Sequence, residues 1–183
     1  MAVGRPREFD PDQVVDQAMT LFWARGFDGV SISDIAAATN TNRRSIYAEF
    51  GSKQKLYERA VQHYLAGQGG YVMDALAMPS ARGVAEALVH GAAETSSSGP
   101  RGCLTLDSGP GTAEMREATV HRIAERFDGA VADGELSGVD TVVLARWIAA
   151  VCQGIAIQAR SGADRADLHA LADLALAGWP AGR

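Results

Sequence analysis

Apolar residues along this chain recur at spacings of three and four, the period of a helix with one buried face, and no strand series with period two stands out. The first stripe is Val14, Val15, Ala18, Leu21 and Phe22. Its ends are marked by Asp10 as N-cap, Pro11 at the first helical position, Gln13 placed for a capping box, and Gly26 as terminator. A second stripe, Ile32, Ile35 and Ala36, follows Ser31, an N-cap with Asp34 in the capping-partner position. The polar run Thr39-Asn40-Thr41-Asn42 breaks the pattern, and Asn tolerates the left-handed backbone of a sharp turn. Ile46, Tyr47 and Phe50 make a third stripe, with Arg43, Arg44 and Ser45 at its exposed start. Ser52 then caps a longer helix through Leu56, Ala60, Val61 and Tyr64, which runs into the glycines at 67–70. Helical periodicity returns near 71–77, 81–95, 112–133, 141–160 and 165–178, with Gly/Ser/Pro-rich punctuation at 96–102 and 108–111. The pattern predicts an all-α chain of about nine helices. Residues 1–52 form an N-terminal arm and a three-helix head containing a helix-turn-helix, and residues 53–183 a larger helical body. Ahead of the head, Gly4-Arg5-Pro6-Arg7 reads as an extended arm, because Pro6 lacks an amide donor and disfavours helix before it.

Two short helices joined by a tight polar turn, the second opening with guanidinium groups, suit insertion of a recognition helix into the DNA major groove. At this point the residues resemble the TetR/AcrR family. Ile35-Ala36, Ile46-Tyr47, Phe50-Gly51-Ser52-Lys53 and Leu56-Tyr57 fall at that family's spacings, and Phe22 with Gly26-Phe27 matches the end of its first helix. The resemblance covers residues 5–65. Asn40 stands where the family usually has Gly, Arg44 where a small residue is common, and Glu49 where Tyr or His often touches phosphate; a carboxylate there repels phosphate. The resemblance implies a body that binds a small molecule and forms a homodimer, and phosphate contacts from Tyr47 and Lys53.

The net charge of −5 changes this picture only until its distribution is read. Residues 1–60 hold eight Lys/Arg and eight Asp/Glu, whereas 61–183 hold nine and fourteen, so the acidic excess lies wholly outside the head. Within 42–55, Arg43, Arg44, Lys53 and Lys55 face only Glu49. DNA responds to local potential within a Debye length of about 8–10 Å, so this patch outweighs the total. There is no unbroken apolar run of membrane-spanning length, and MAVGRPREFDPDQ has no apolar core for export, so a cytoplasmic location without membrane association is expected. Cys103 and Cys152 lie too far apart for a disulfide framework or a zinc spacing.

For DNA contact, Arg43 and Arg44 lead, because a guanidinium donates two parallel bonds to guanine O6 and N7. Ser31, Thr41, Asn42 and Ser45 sit at helix starts, where free amides and the helix dipole favour phosphate. Arg5 and Arg7 are placed to reach a neighbouring minor groove. For the dimer, Leu144, Trp147, Ile148, Val151, Ile155 and Gln158 form one stripe, and Leu168, Leu171, Ala172, Ala175 and Trp179 another, with Gly154 permitting close approach. For a small-molecule effector, Tyr64, Met73, Met115, Thr119, His121, Phe127 and Gln153 combine apolar bulk with a few polar handles. Cys103 joins this set, because the Gly102-Cys103-Leu104 step looks like one in some TetR-family members, including electrophile-sensing ones, and Arg101 beside it favours a thiolate.

These features predict a ligand-responsive transcriptional repressor with a double-stranded DNA operator, and no enzyme. One alternative is a redox- or electrophile-sensing regulator acting through Cys103. Another, of a different class, is a helical small-molecule carrier or enzyme without DNA binding. Against an enzyme, there is no GxSxG around Ser108, no phosphate-cradling glycine loop and no HExxH. The histidines at 63, 90, 121 and 169 have no metal-ligand spacing, so no metal or cofactor is expected.

Overall fold

Each break in the hydrophobic period becomes a helix end. The computed structural model describes residues 9–106 and 109–180, and Arg5 and Arg7 lie outside them. Among the described residues there are nine α-helices and no strand. In the head these are α1 Pro11–Arg25, α2 Ile32–Ala38, α3 Arg43–Phe50 and α4 Lys53–Ala66. The body holds α5 Tyr71–Leu76, α6 Ala81–Ser97, α7 Thr112–Ala132, α8 Thr141–Arg160 and α9 Arg165–Ala177. Single 3-10 turns at Gln68–Gly70 and Leu104–Leu106 link them.

The end signals explain the boundaries. Asp10 caps α1 by accepting from the Asp12 amide at 3.0 Å, so the cap rests on Asp10 and not on a reciprocal pair with Gln13. Ser31 and Asp34 form the expected reciprocal box at the start of α2. Asp34 accepts from both the amide and the hydroxyl of Ser31, and these hydrogen bonds hold its carboxyl below its ordinary pKa. Asn40 takes the left-handed turn with φ of 49°. Ser52 and Ser80 cap α4 and α6 in the same way, through the Lys55 and Gly83 amides.

Two apolar cores result. The head core gathers the buried faces of α1, α2 and α3 with Leu56, Tyr57, Ala60, Val61 and Tyr64 of α4. The division expected at residues 52 and 53 therefore does not coincide with a break between cores, because α4 turns its buried side to the head. Phe22 and Phe27 meet the edge of the Tyr57 ring at 5.0 Å, and Trp23 meets Tyr64 the same way. Leu104, fully buried, reaches back from the body into this head core. The second core is built by α6, α7, α8 and α9. By length and composition α8 is apolar enough to cross a membrane, though Arg146, Gln153 and Gln158 interrupt it. One of its faces is buried in the body core, and Arg146 pairs with Glu117 of α7.

Candidate nucleic-acid interface and body cavity

The third helix is anchored by Ile46 and Phe50, 1% and 4% exposed, and everything on its other side faces out. Arg43, Arg44 and Tyr47 are exposed, and among the described residues none makes an ion pair or side-chain hydrogen bond. Asn42 caps the helix by accepting from the Ser45 amide at 2.8 Å, which uses its carbonyl oxygen and leaves its NH2 group outward. The first amides of a helix have no intrahelical partner, so those of Arg43 and Arg44 stay available at the same end. This helix start can hold an anion and, one turn along, read a base edge.

Not every expected contact is free. Thr41 is 9% exposed; its amide donates to Ala36 O and its hydroxyl to Thr39 O, so it stabilises the turn. The Ser31 hydroxyl is committed to Asp34. Lys53, half-buried, lays its ammonium 4.1 Å from the centre of the Phe27 ring. It therefore stands at the first position of α4 already oriented by an aromatic face.

Behind the head lies a cavity of about 110 Å³. Tyr64, Cys103, Met115, Thr119 and Gln153 line it, as do Tyr71, Leu88, Thr105, Arg116, Ala149 and Cys152. Three candidates lie elsewhere. Phe127 is fully buried in the body core against Trp179, with ring centres 5.6 Å apart. His121 is exposed beside Glu117, and Met73 is 56% exposed with Arg122 against its sulfur. Their spacing matched a helix face, but a stripe along α7 divides between cavity and core. The missed residues come from several elements, so no local pattern marks them. A signal was present on α8, where Ala149, Cys152, Gln153 and Ala156 form one stripe with two polar members.

The Tyr64 hydroxyl donates to the Cys103 sulfur at 3.4 Å, and that sulfur lies 3.1 Å from Thr105 Oγ1. Burial holds Tyr64 and Tyr71 well above the usual phenol range, and burial pushes the Cys152 thiol up to about 12. All three are neutral at pH 7. The segment 102–106 also joins the cavity to the head. Trp23 of α1 donates its indole N–H to Gly102 O at 3.0 Å, Arg160 of α8 donates to Cys103 O, and Arg116 of α7 to Thr105 O.

The predicted dimer stripes lie largely inside the protomer. Leu144, Ile148, Ile155 and Leu168 are buried within the protomer's own core, and Trp147, Val151 and Trp179 pack partly against it. Ala175 is half-buried, while Gln158 and Leu171 face outward. The large apolar residues left exposed on these helices are Val142, Val143 and Ile157 on α8 and Leu171 and Leu174 on α9, 41%, 62%, 55%, 40% and 73% exposed. Gly154 opens onto empty space in the same α8 stripe.

The family model for bacterial regulatory proteins of the tetR family matches residues 14–60. The HTH-type transcriptional repressor ComR of Escherichia coli (strain K12) is 31% identical over 194 residues, 97% of this chain and 92% of ComR. BdcR, another HTH-type repressor of that strain, is 35% identical over 57% of this chain and 54% of BdcR. Among solved structures, a cysteine mutant of the TetR family transcriptional regulator CifR, complexed with 26-bp double-strand operator DNA, gives a TM-score of 0.85. It is 35% identical and covers 97% of this chain and 100% of that one. A TetR transcriptional regulator from Chloroflexus aurantiacus gives 0.75 at 25% identity, covering 91% of this chain and 92% of the other.

Proposed function

The chain belongs to the TetR family of bacterial DNA-binding transcriptional regulators, and on that premise we propose that it is a repressor which leaves its operator when a small molecule fills the body cavity. It works in the cytoplasm as a homodimer. The outward apolar face of α8 and α9 supports the dimer, because a face of this kind left to water marks an interaction site. One helix-turn-helix reads only a few base pairs, and a twofold pair reads two half-sites about 34–36 Å apart or a multiple of that. Arg43 and Arg44 select bases; Tyr47, Lys53 and the outward amide of Asn42 hold phosphate. Arg5 and Arg7 reach the minor groove.

One observation carries the ligand step: the cavity and the head share walls. Tyr64 and Leu65 belong to α4, and Cys103, beside Tyr64, is followed by Leu104 in the head core. A molecule in the cavity presses on both, and α4 lies directly behind α3. Release requires the ligand to favour the arrangement that binds DNA poorly; a tenfold loss of operator affinity needs about 1.4 kcal/mol of such preference.

A bulky side chain in the cavity mimics the ligand. Ala92 is buried and lines it. Ala92→Phe is expected to weaken operator binding tenfold or more while the circular dichroism and dimer mass stay as in the parent. A folded, dimeric variant with parental operator affinity contradicts the release mechanism.

A further inference from the structure

Most polar groups in the cavity wall are already paired. Besides the Tyr64, Cys103, Thr105 and Arg116 contacts, the Cys152 thiol donates to Leu88 O and Thr119 to Met115 O. Three polar groups differ. The Tyr71 hydroxyl, the Ser96 hydroxyl and the Gln153 side-chain amide line the cavity, and none has a hydrogen-bond partner among the described residues. Ser96 as a residue is 2% exposed, and its side chain belongs to the cavity wall. The Tyr71 ring is seated on α6 at Gly91, where a Cβ would collide with it, so its position is set by the fold. Tyr71, Ser96 and Gln153 thus give one cavity wall three neutral polar groups open to an occupant, and a molecule that bonds to them replaces the water they otherwise meet.

We propose that the cavity takes a small uncharged molecule with one oxygen- or amide-type head, held by Tyr71, Ser96 and Gln153, and a hydrocarbon body against Leu88 and Ile123. The proposal rests on the effector reading above and specifies its chemistry. The three groups together offer donors and acceptors, which suits a hydroxyl, ketone or amide head. A cation is disfavoured. The phenols of Tyr64 and Tyr71 and the thiol of Cys152 are protonated at neutral pH, so they offer no anion to a cation. Arg116, the cavity's one charged wall residue among those described, donates to the Thr105 carbonyl at 2.6 Å and adds a positive charge that further disfavours a cation, while Tyr71, Ser96 and Gln153, the partners of the proposed head, are themselves neutral. Size sets the other limit. An enclosed apolar cavity of ~150 Å³ holds benzene; this one, at about 110 Å³ but open on one side, limits the occupant to about a single ring with a small head that reaches the opening.

The test uses three probes that share a ring and differ in charge: benzamide, benzoate and benzylamine. Isothermal titration of the full-length protein reads their affinities, and anisotropy of labelled operator reads release. Benzamide is expected to bind most tightly of the three and to release the operator. Tyr71→Phe and Gln153→Leu are each expected to weaken it roughly two- to tenfold, with unchanged melting temperature and unchanged operator affinity in the absence of probe. Preference for benzoate, abolished by Arg116→Gln, overturns the uncharged assignment, as does preference for benzylamine. Absence of binding by all three also overturns it. Ala92→Phe separates these failures from failure of the effector reading: if that variant still loses the operator, the cavity regulates DNA binding and only the ligand class is wrong.

Discussion

Arg43 and Lys53 carry the same charge but are held differently. Arg43 opens α3, exposed and without a partner among the described residues, and Lys53 opens α4 with its ammonium over Phe27. Arg43→Ala is expected to cost about 1–3 kcal/mol on the cognate operator and much less on random DNA. Lys53→Ala is expected to weaken both alike and to reduce the salt slope by about one. Anisotropy titrations over a salt series measure both, and equal behaviour of the two variants contradicts the division between base and phosphate contacts. At this scale the sequence was readable where function follows from local chemistry. Arginine at a helix start, the Ser31–Asp34 box and a left-handed Asn40 needed only neighbours in the chain. The burial of Thr41 did not, because it depends on the turn folding back so that its amide meets Ala36 O.

Among elements, the capping box and the 102–106 segment make separate predictions. Ser31 holds the Asp34 carboxyl below its ordinary pKa near 4, so the ionised form is favoured in the folded state. That stabilisation is present above the ordinary value and is lost as pH falls through the depressed one. Asp34→Asn should therefore lower the melting temperature at pH 7 and flatten its decline between pH 5 and 3; a parental acid limb contradicts the box as its source. Leu104 is fully buried in the head core although its neighbours belong to the body. Leu104→Ala is expected to destabilise the protein by about 2–5 kcal/mol, and operator binding should weaken by more than at a body position such as Leu168→Ala of equal stability loss. Matching loss at both positions in urea titrations and operator binding would show that Leu104 merely fills space. Helix positions were legible, since periodicity and caps are local. The reach of Leu104 was not, because no spacing reports which core a short loop residue enters.

For the whole molecule, charge and exposed apolar surface point to opposite ends. The basic patch sits on the head and the acidic excess on the body, as the sequence alone indicates. The exposed face on α8 and α9 predicts a dimer at micromolar concentration, and Leu174→Glu with Ile157→Glu is expected to give a folded monomer by sedimentation. A monomeric parent refutes the dimer. The sequence stripes on these two helices lie on the side that fills the protomer's own core, because both sides of α8 are apolar and periodicity cannot say which one the protomer buries. The cavity was legible in part for the same reason: its walls come from residues that only the assembled body brings together.

The most direct measurement is fluorescence anisotropy of the purified protein on the intergenic DNA upstream of its own gene, against a scrambled duplex, across a salt series. Selective binding, about a thousandfold or more over the scrambled duplex and reduced in Arg43→Ala, is the predicted result. Absence of binding to any duplex even at low salt would contradict the account and return the chain to a carrier that keeps its ligand cavity without reading DNA.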